Sequence, residues 1–519
     1  MTTKTPIHAT QTLGDLLRRS RQRYPNKIAV QCNSVRWTYA QFDDICNQFS
    51  QGLAAKQIQI GDRVAVIARN SHAFAALRFA VARLGAVLVP INYMLSVADA
   101  NFILDHSGAT TLCVDTEFAH LGRGASANTS VRNLVWLPSE NDSEPQADML
   151  NFSDLLLDAK PVDRHLDGSM LAQIIYTSGT ESKPKGAMLT HSAVIAEYVT
   201  CLVDVEIAEK DIALHALPLY HCAQLDVFFG PAIYVGSTNF ITGIPTADNL
   251  LKLLSTHRIT SFFAPPTIWI ALLRSPDFAK TDLSAFKKGY YGASIMPVEV
   301  LKEIQQRLPK VRLWNLYGQT EIAPMATVLK PEDQLRKAGS AGRAALNIET
   351  RVVDEAMNDV KIGDIGEIVH RSPQLLLGYY KDEQRTAEAF AGGWFHSGDL
   401  GIIDDEGYIT VVDRKKDMIK TGGENVASRE VEEAIYSIEG VSEVAVIGTP
   451  DEKWIEAVTA IIVTKSGHTL AADFVIAECH KRLSKFKVPK HIVFAASLPK
   501  NPSGKVLKRE LRLSVAVNA

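Results

Sequence analysis

Three short runs, Arg63 to Ile67, Ala86 to Pro90 and Thr111 to Val114, are apolar almost throughout and alternate with two stretches of helical periodicity, Ser71 to Leu84 and Val97 to Ser107. Such runs belong to strands buried on both faces, and these occur where crossover helices cover a parallel sheet. The turn at Gly61-Asp62 leads into the first of them. The alternation starts earlier, with a helical pattern from Thr12 to Tyr24, a strand at Ile28 to Val30, and a helix from Tyr39 to Ala55 opened by the capping hydroxyl of Thr38. It resumes at Ala213 to Pro218, Ile259 to Phe263 and Lys288 to Tyr291, and runs to about Val328. An α/β fold with mostly parallel sheets flanked by helices is the expectation. The most apolar stretch, Ala73 to Ile91, carries Arg78 and Arg83 and breaks at Gly85, so it reads as a buried helix leading into a strand, not an integral membrane segment.

Later segments follow other patterns. Gly124 to Ser130 and Ser139 to Gln146 read as loose polar stretches. From Ala338 to Asp413 the chain breaks into short β segments with turns, at Ile348 to Val353, Gly366 to His370 and Tyr408 to Val412, which predicts a β-rich subdomain over 338–413. The charged joint D-R-K-K-D at Asp413 to Asp417 precedes Gly422-Gly423 and a compact tail. Strands at Val441 to Gly448, Ala457 to Val463 and Ile492 to Phe494, with a helix at Ala471 to Leu483, make that tail α+β. The boundary placed there divides the chain into residues 1–413 and 414–519.

Composition narrows the function classes. At 519 residues, 46% apolar and 22% charged, the chain is long enough for two or more globular domains with large cores. A net charge of −3 gives no general affinity for nucleic acid or anionic membranes. The six cysteines, Cys32, Cys46, Cys113, Cys201, Cys222 and Cys479, are scattered without a C-x-x-C pair, as expected of reduced thiols in the cytoplasm. The first ten residues lack the apolar core of a secretion signal, and the final V-N-A is not a peroxisomal address.

Four motifs carry chemistry. Tyr176 to Gly186, Y-T-S-G-T-E-S-K-P-K-G, lies between two apolar runs, Leu171 to Ile175 and Ala187 to Leu189. Small hydroxyl residues and Gly179 let backbone N–H groups close on phosphate oxygens, while Lys183 and Lys185 supply positive charge. The loop is not a Walker A motif: Pro184 has no N–H to offer, and Gly186 has no hydroxyl for Mg²⁺, so a metal ligand must come from elsewhere. The second motif, Tyr317-Gly318-Gln319-Thr320-Glu321, can present a hydroxyl and a carboxylate at a sheet edge; Glu321 is the candidate metal ligand. In the third, W-F-H-S-G-D-L-G from Trp394, Asp399 sits between glycines after a strand-like segment, where it can accept both hydroxyls of a ribose, with Arg414 adding donors. The fourth, N-P-S-G-K at Asn501 to Lys505, presents a lysine on a Pro/Gly turn in a basic tail.

These four motifs, in this order and spacing, resemble the adenylate-forming superfamily of acyl-CoA synthetases, acyl-adenylating domains of peptide synthetases, and luciferases. The resemblance covers nearly the whole chain. It implies a large N-terminal domain and a small, mobile α+β C-terminal domain. It also implies that Thr177, Ser178, Gly179, Thr180, Lys183 and Lys185 wrap the β- and γ-phosphates of ATP. Gly292, Ala293 and Ser294 would hold the adenine with Asn315 and Tyr317, beside Gly318. Glu321 with Thr177 would bind Mg²⁺, Thr320 would touch the α-phosphate, and Asp399 and Arg414 would hold the ribose. Lys505 would bridge carboxylate and α-phosphate, Lys416 would lie at the hinge, and Gly422-Gly423 would meet the pantetheine arm of CoA. Glu181-Ser182 departs from the Ser or Thr followed by Gly usual in the loop.

The implied reaction is ATP-dependent ligation of a small-molecule carboxylic acid to CoA, and neither half-reaction needs an enzymic nucleophile. Around P-L-Y-H-C-A-Q-L-D-V-F-F, from Pro218, no Asp stands near His221, where amino-acid-activating relatives carry one. His221, Gln224, Leu225, Phe228 and Tyr291 are the expected acyl pocket, suited to a medium- or long-chain fatty acid. Asp226 stays unassigned between pocket and core. Loading of a separate carrier protein, ligation of an aryl acid, and a non-catalytic nucleotide-binding regulator are the competing readings. A homodimer is compatible with all of them.

Overall fold

The computed structural model describes residues 10–141, 144–162, 164–177, 183–292, 294, 296–415, 417–421, 424–451, 454–500 and 506–517. Among them, strands form four sheets. In the first, Ile28–Cys32, Thr238–Ile241, Ile212–His215, Ser261–Phe263, Lys288–Gly292 and Arg312–Gly318 run parallel, and antiparallel strands close both edges. In the second, Leu171–Thr177, Val87–Pro90, Arg63–Ile67, Thr111–Val114 and Asn133–Trp136 run parallel. Leu171–Thr177 then turns back into Lys185–Thr190 as an antiparallel hairpin, and Gly378–Tyr379 adds to its outer edge.

The helices Tyr39–Ala55 and His72–Leu84 join these sheets through one core that draws Val30 from the first, Val64 and Leu88 from the second, and Phe42, Phe49, Phe74 and Phe79 from the helices. Both helices begin where the sequence signals: Thr38 accepts from the Gln41 N–H and Ser71 from the Phe74 N–H. His72–Leu84 is buried on every face except at Arg83, as a helix apolar all round must be. Its Arg78, 1% exposed, is neutralised by Asp226 at 2.8 Å. No described helix is long and apolar enough to cross a membrane.

The third sheet is antiparallel, of Glu349–Val353, Gly366–Arg371, Phe395–Ile403 and Ile409–Arg414. The fourth, in the C-terminal region, pairs Val441–Asp451 with Ile455–Thr464, to which His491–Phe494 adds in parallel; the helices Ser428–Tyr436 and Ala472–His480 help cover it.

Two local expectations change. Gly124 to Ser126 is not loose: it ends a helix, Ala119–Ser126. Its glycines serve close packing, since a Cβ on Gly122 would lie 2.6 Å from Val114 Cγ1, and one on Gly124 would lie 3.0 Å from Val97 Cγ1. Asp399, expected after a strand, lies inside the nine-residue strand Phe395–Ile403, next to a register shift at Leu400/Gly401. All six cysteines are buried free thiols.

Candidate active site

The described parts of the first three motifs converge because three sheets meet there. The hairpin sets Thr177 opposite Lys185 and Tyr176 opposite Gly186. Ser178, Gly179 and Thr180 lie outside the described residues, as do Glu181 and Ser182. The two loop lysines rest on aromatic faces: Lys183 Nζ is 4.9 Å from the centre of the Phe102 ring, and Lys185 Nζ is 5.3 Å from that of Tyr379. At the hairpin base the Tyr176 hydroxyl is 2.8 Å from His106 Nδ1. Burial holds the Tyr176 phenol above its ordinary range and the His106 imidazole below.

The second motif ends the strand Arg312–Gly318. Gly318 is required by close approach, because a Cβ there would lie 1.8 Å from the Pro324 carbonyl oxygen. The turn Thr320–Ile322 follows and packs on the strand Lys185–Thr190. Thr320 Oγ1 lies 3.3 Å from Cys222 Sγ. Glu321 Oε1 accepts a 3.0 Å hydrogen bond from the Tyr379 hydroxyl, and the Glu321 carbonyl accepts from the Leu376 N–H at 2.8 Å. Beneath the turn the buried Glu197 accepts from the Met325 N–H at 3.2 Å and from the Gln374 amide. Among the described residues the Glu321 carboxylate has one oxygen bonded to Tyr379, and its turn packs on the strand Lys185–Thr190, the hairpin partner of the strand that ends at Thr177; a carboxylate and a hydroxyl are oxygen donors of the kind that suits Mg²⁺.

Tyr291 and Gly292 pair in parallel with Asn315 and Leu316, so Gly292 and the start of the second motif share a sheet edge. A Cβ on Gly292 would lie 2.4 Å from the Leu316 carbonyl oxygen. Ser294 follows at this edge; Ala293 is outside the described residues. The Asn315 amide donates to the Ser340 carbonyl at 2.9 Å. From the third sheet Asp399 reaches the same place. Its Oδ2 accepts from the Tyr317 hydroxyl at 2.7 Å, and its Oδ1 lies 3.2 Å from Arg414 Nε. Burial and the neighbouring Asp399 charge hold the Tyr317 phenol well above its ordinary range, so it remains a donor. Lys416, Gly422, Gly423 and Lys505 lie outside the described residues.

Of the five expected acyl-pocket residues, Leu225, Phe228 and Tyr291 belong to three separate clusters of buried side chains. Leu225 packs between the first two sheets, Phe228 stacks on Phe263, and Tyr291 belongs to the core under the helices Ala247–Thr256 and Pro266–Arg274. The Tyr291 hydroxyl donates to Gln334 at 2.6 Å. Gln224 is buried, with its Nε2 2.8 Å from His215 Nδ1 and its Oε1 accepting from the Leu217 N–H. His221, half-buried, accepts at Nδ1 from the Ala223 N–H. Asp226 faces the core, where Arg78, Tyr198 and Gln173 surround it. A cavity of about 390 Å³ opens past the carboxyl ends of strands from both parallel sheets, lined by Arg69, Tyr93, Glu117, Phe118, Pro218 and Gly243 among others. Open α/β sheets bind ligands at such ends.

Tyr379, whose hydroxyl holds Glu321, was not singled out from the sequence. The only local signal is the pair Gly378-Tyr379 after an apolar run.

Comparison with known proteins shows the family. Residues 17–380 match the AMP-binding enzyme family, and residues 430–505 match the AMP-binding enzyme C-terminal domain. The chain belongs to the AMP-binding enzymes, the adenylate-forming superfamily, in its acyl-CoA ligase branch. It is 34% identical to a feruloyl-CoA synthase from Amycolatopsis, over 97% of this chain and 99% of that one. It is 35% identical to a long-chain-fatty-acid–CoA ligase from Mycobacterium tuberculosis, over 92% and 93%. The crystal structure of ATP-bound MatB from Rhodopseudomonas palustris superimposes with a TM-score of 0.88 at 28% identity, covering 97% of this chain and 99% of that one.

Proposed function

We propose that the protein joins a medium- or long-chain fatty acid to CoA in two steps. The acid's carboxylate attacks the α-phosphorus of ATP, giving an acyl-adenylate and pyrophosphate; the CoA thiol then attacks the acyl carbon and releases AMP. The observation that carries this reading is that the segment from Tyr317 to Glu321 bonds at one end to Asp399, beside Arg414, and at the other to Tyr379, on whose ring Lys185 rests.

In this reading, Asp399 and Arg414 bind the ribose, while Gly292, Ala293, Ser294, Asn315, Tyr317 and Gly318 form the adenine slot. Thr177, Ser178, Gly179, Thr180, Lys183 and Lys185 hold the departing pyrophosphate, and Thr320 orients the α-phosphate. Glu321 and Thr177 hold Mg²⁺, which when bound offsets charge on the phosphate oxygens. Lys505 brings a further positive charge to the reacting carboxylate and α-phosphate. The C-terminal domain, residues 414–519, turns at Lys416 between the steps and offers Gly422-Gly423 to pantetheine. Placement of charge, not a protein nucleophile, lowers the barrier.

A fatty acid is favoured over an amino acid because Asp226, the acidic residue in the segment from Pro218 to Phe229, is committed to Arg78 in the core and is not offered to an ammonium group. An aryl acid is the second reading, favoured by the likeness to a feruloyl-CoA synthase along nearly the whole of both chains. The test is pyrophosphate release over a panel of fatty, aryl, dicarboxylic and amino acids, each with and without CoA. Turnover of C8 to C18 acids with acyl-CoA formed supports the proposal. Turnover restricted to aryl acids transfers it to the second reading; adenylate accumulating beside unused CoA points to a separate carrier protein as acceptor.

A further inference from the structure

Tyr379 stands between the two charges that the phosphate site must bring together. Its hydroxyl donates to Glu321 Oε1 at 3.0 Å, and its ring carries the Lys185 ammonium 5.3 Å from the ring centre. Both contacts are anchored in the backbone. Tyr379 pairs with Ala187 on the strand that begins at Lys185, and the Tyr380 N–H donates to the Gly186 carbonyl at 2.8 Å. Three residues earlier, Leu376 bonds the Glu321 carbonyl. The Tyr379 N–H donates to Thr386 Oγ1 at 2.9 Å, and the side chain is 8% exposed. One buried residue thus spans the loop strand and the acidic turn, which are far apart in sequence.

We infer that Tyr379 is a positioning residue, orienting the Glu321 carboxylate toward the metal and parking the Lys185 ammonium where it can reach the leaving phosphates. This role rests on the assignment of Glu321 and Lys185 under the proposed function. A tyrosine hydroxyl that occupies Oε1 fixes the carboxylate plane and leaves Oε2 as the outward ligand. Partners of a metal-ligating carboxylate commonly set metal affinity within about 10- to 100-fold. The ring face attracts the lysine without satisfying its N–H donors, so the ammonium is held near the site while its hydrogen bonds remain available to phosphate oxygens. A direct ion pair between Lys185 and Glu321 would instead occupy both groups, and none joins them.

The two contacts separate in two variants. Tyr379→Phe keeps the ring and loses the hydroxyl; Tyr379→Leu loses both. Mn²⁺ affinity is measured by electron paramagnetic resonance on the full-length enzyme with a non-hydrolysable ATP analogue. The apparent KM for pyrophosphate is measured in the reverse direction, from supplied acyl-adenylate. Tyr379→Phe should weaken Mn²⁺ binding about tenfold and leave the pyrophosphate KM within about twofold. Tyr379→Leu should worsen both. A residue that only supports the fold would not split the two readouts, and thermal melts of both variants monitor folding. Glu321→Gln is the control. If it weakens Mn²⁺ binding while Tyr379→Phe does not, the role of Tyr379 is overturned and the metal assignment stands. If Glu321→Gln also binds Mn²⁺ as tightly as the parent, both fall.

Discussion

Asp399 and Arg414 face each other across two antiparallel strands, Arg414 Nε 3.2 Å from Asp399 Oδ1, while Asp399 Oδ2 is taken by the Tyr317 hydroxyl. The carboxylate is thereby fixed from both sides, with further lone pairs still able to accept the two hydroxyls of a ribose. Hydrogen bonds to a charged group contribute about 1.5–3 kcal/mol each. Asp399→Ala should therefore raise the KM for ATP by about 10- to 100-fold, and the enzyme's preference for ATP over 2′-deoxy-ATP should collapse. A variant that still discriminates against the deoxynucleotide as the parent does would remove Asp399 from the ribose site.

Lys505 is assigned to the first half-reaction alone. Loss of one transition-state contact of this kind commonly costs about 10²- to 10³-fold in rate. Lys505→Ala should lose about that much in acyl-adenylate formation, followed by pyrophosphate release, yet form acyl-CoA from supplied acyl-adenylate at nearly the parental rate. Equal losses in both assays would contradict the assignment.

The Arg78–Asp226 pair predicts a stability effect without a catalytic one. Both side chains are buried, and Asp226 also accepts from Gln173 at 2.7 Å. Removing one member of a buried pair leaves an uncompensated charge, at a cost of about 3–5 kcal/mol, whereas an apolar replacement of both is often tolerated. Asp226→Ala should unfold at markedly lower urea, and Arg78→Met with Asp226→Leu should recover most of the difference. If Asp226→Ala is as stable as the parent but loses turnover selectively for some acids, the residue lines the substrate site after all.

Acid should unfold the protein through its buried histidines. Burial lowers His72, His215 and His370 from the ordinary 6.5 to about 4, and His191 to about 3. At His215 the reason is explicit: Nδ1 faces the Gln224 amide N–H and Nε2 lies 2.9 Å from Asn239 Oδ1, so an added proton has no acceptor. Between pH 6.5 and 4 the unfolded chain binds protons that the fold refuses. Stability is therefore complete above pH 6.5 and falls as pH drops toward 4, by about 3 kcal/mol per histidine at the limit. Urea midpoints measured from pH 7.5 to 4.5 should fall on the acid side, with net proton uptake on unfolding; a flat profile would mean these rings are not held neutral.

Much of the scaffold was legible locally. Arg63 to Ile67, Val97 to Ser107 and Thr111 to Val114 form as their periodicity indicates, and Thr38 and Ser71 cap the helices they were expected to open. Helical and strand periods and capping hydroxyls act within a few residues, so a one-dimensional pattern records them. Packing was less legible. Gly124 reads as looseness until Val97 is placed against it, and no local pattern tells that Leu225 and Phe228, so close in sequence, join different clusters of the core.

The sequence by itself determined the strand–helix order, the family motifs and therefore the class of reaction, because these depend on residue type and spacing along the chain. Only the tertiary structure decided which side chains meet. Tyr317 and Asp399 are 82 residues apart, Glu321 and Tyr379 are 58 apart, and Arg78 and Asp226 are 148 apart. Each contact depends on how separate strands and helices come to lie beside one another, and no local spacing encodes it.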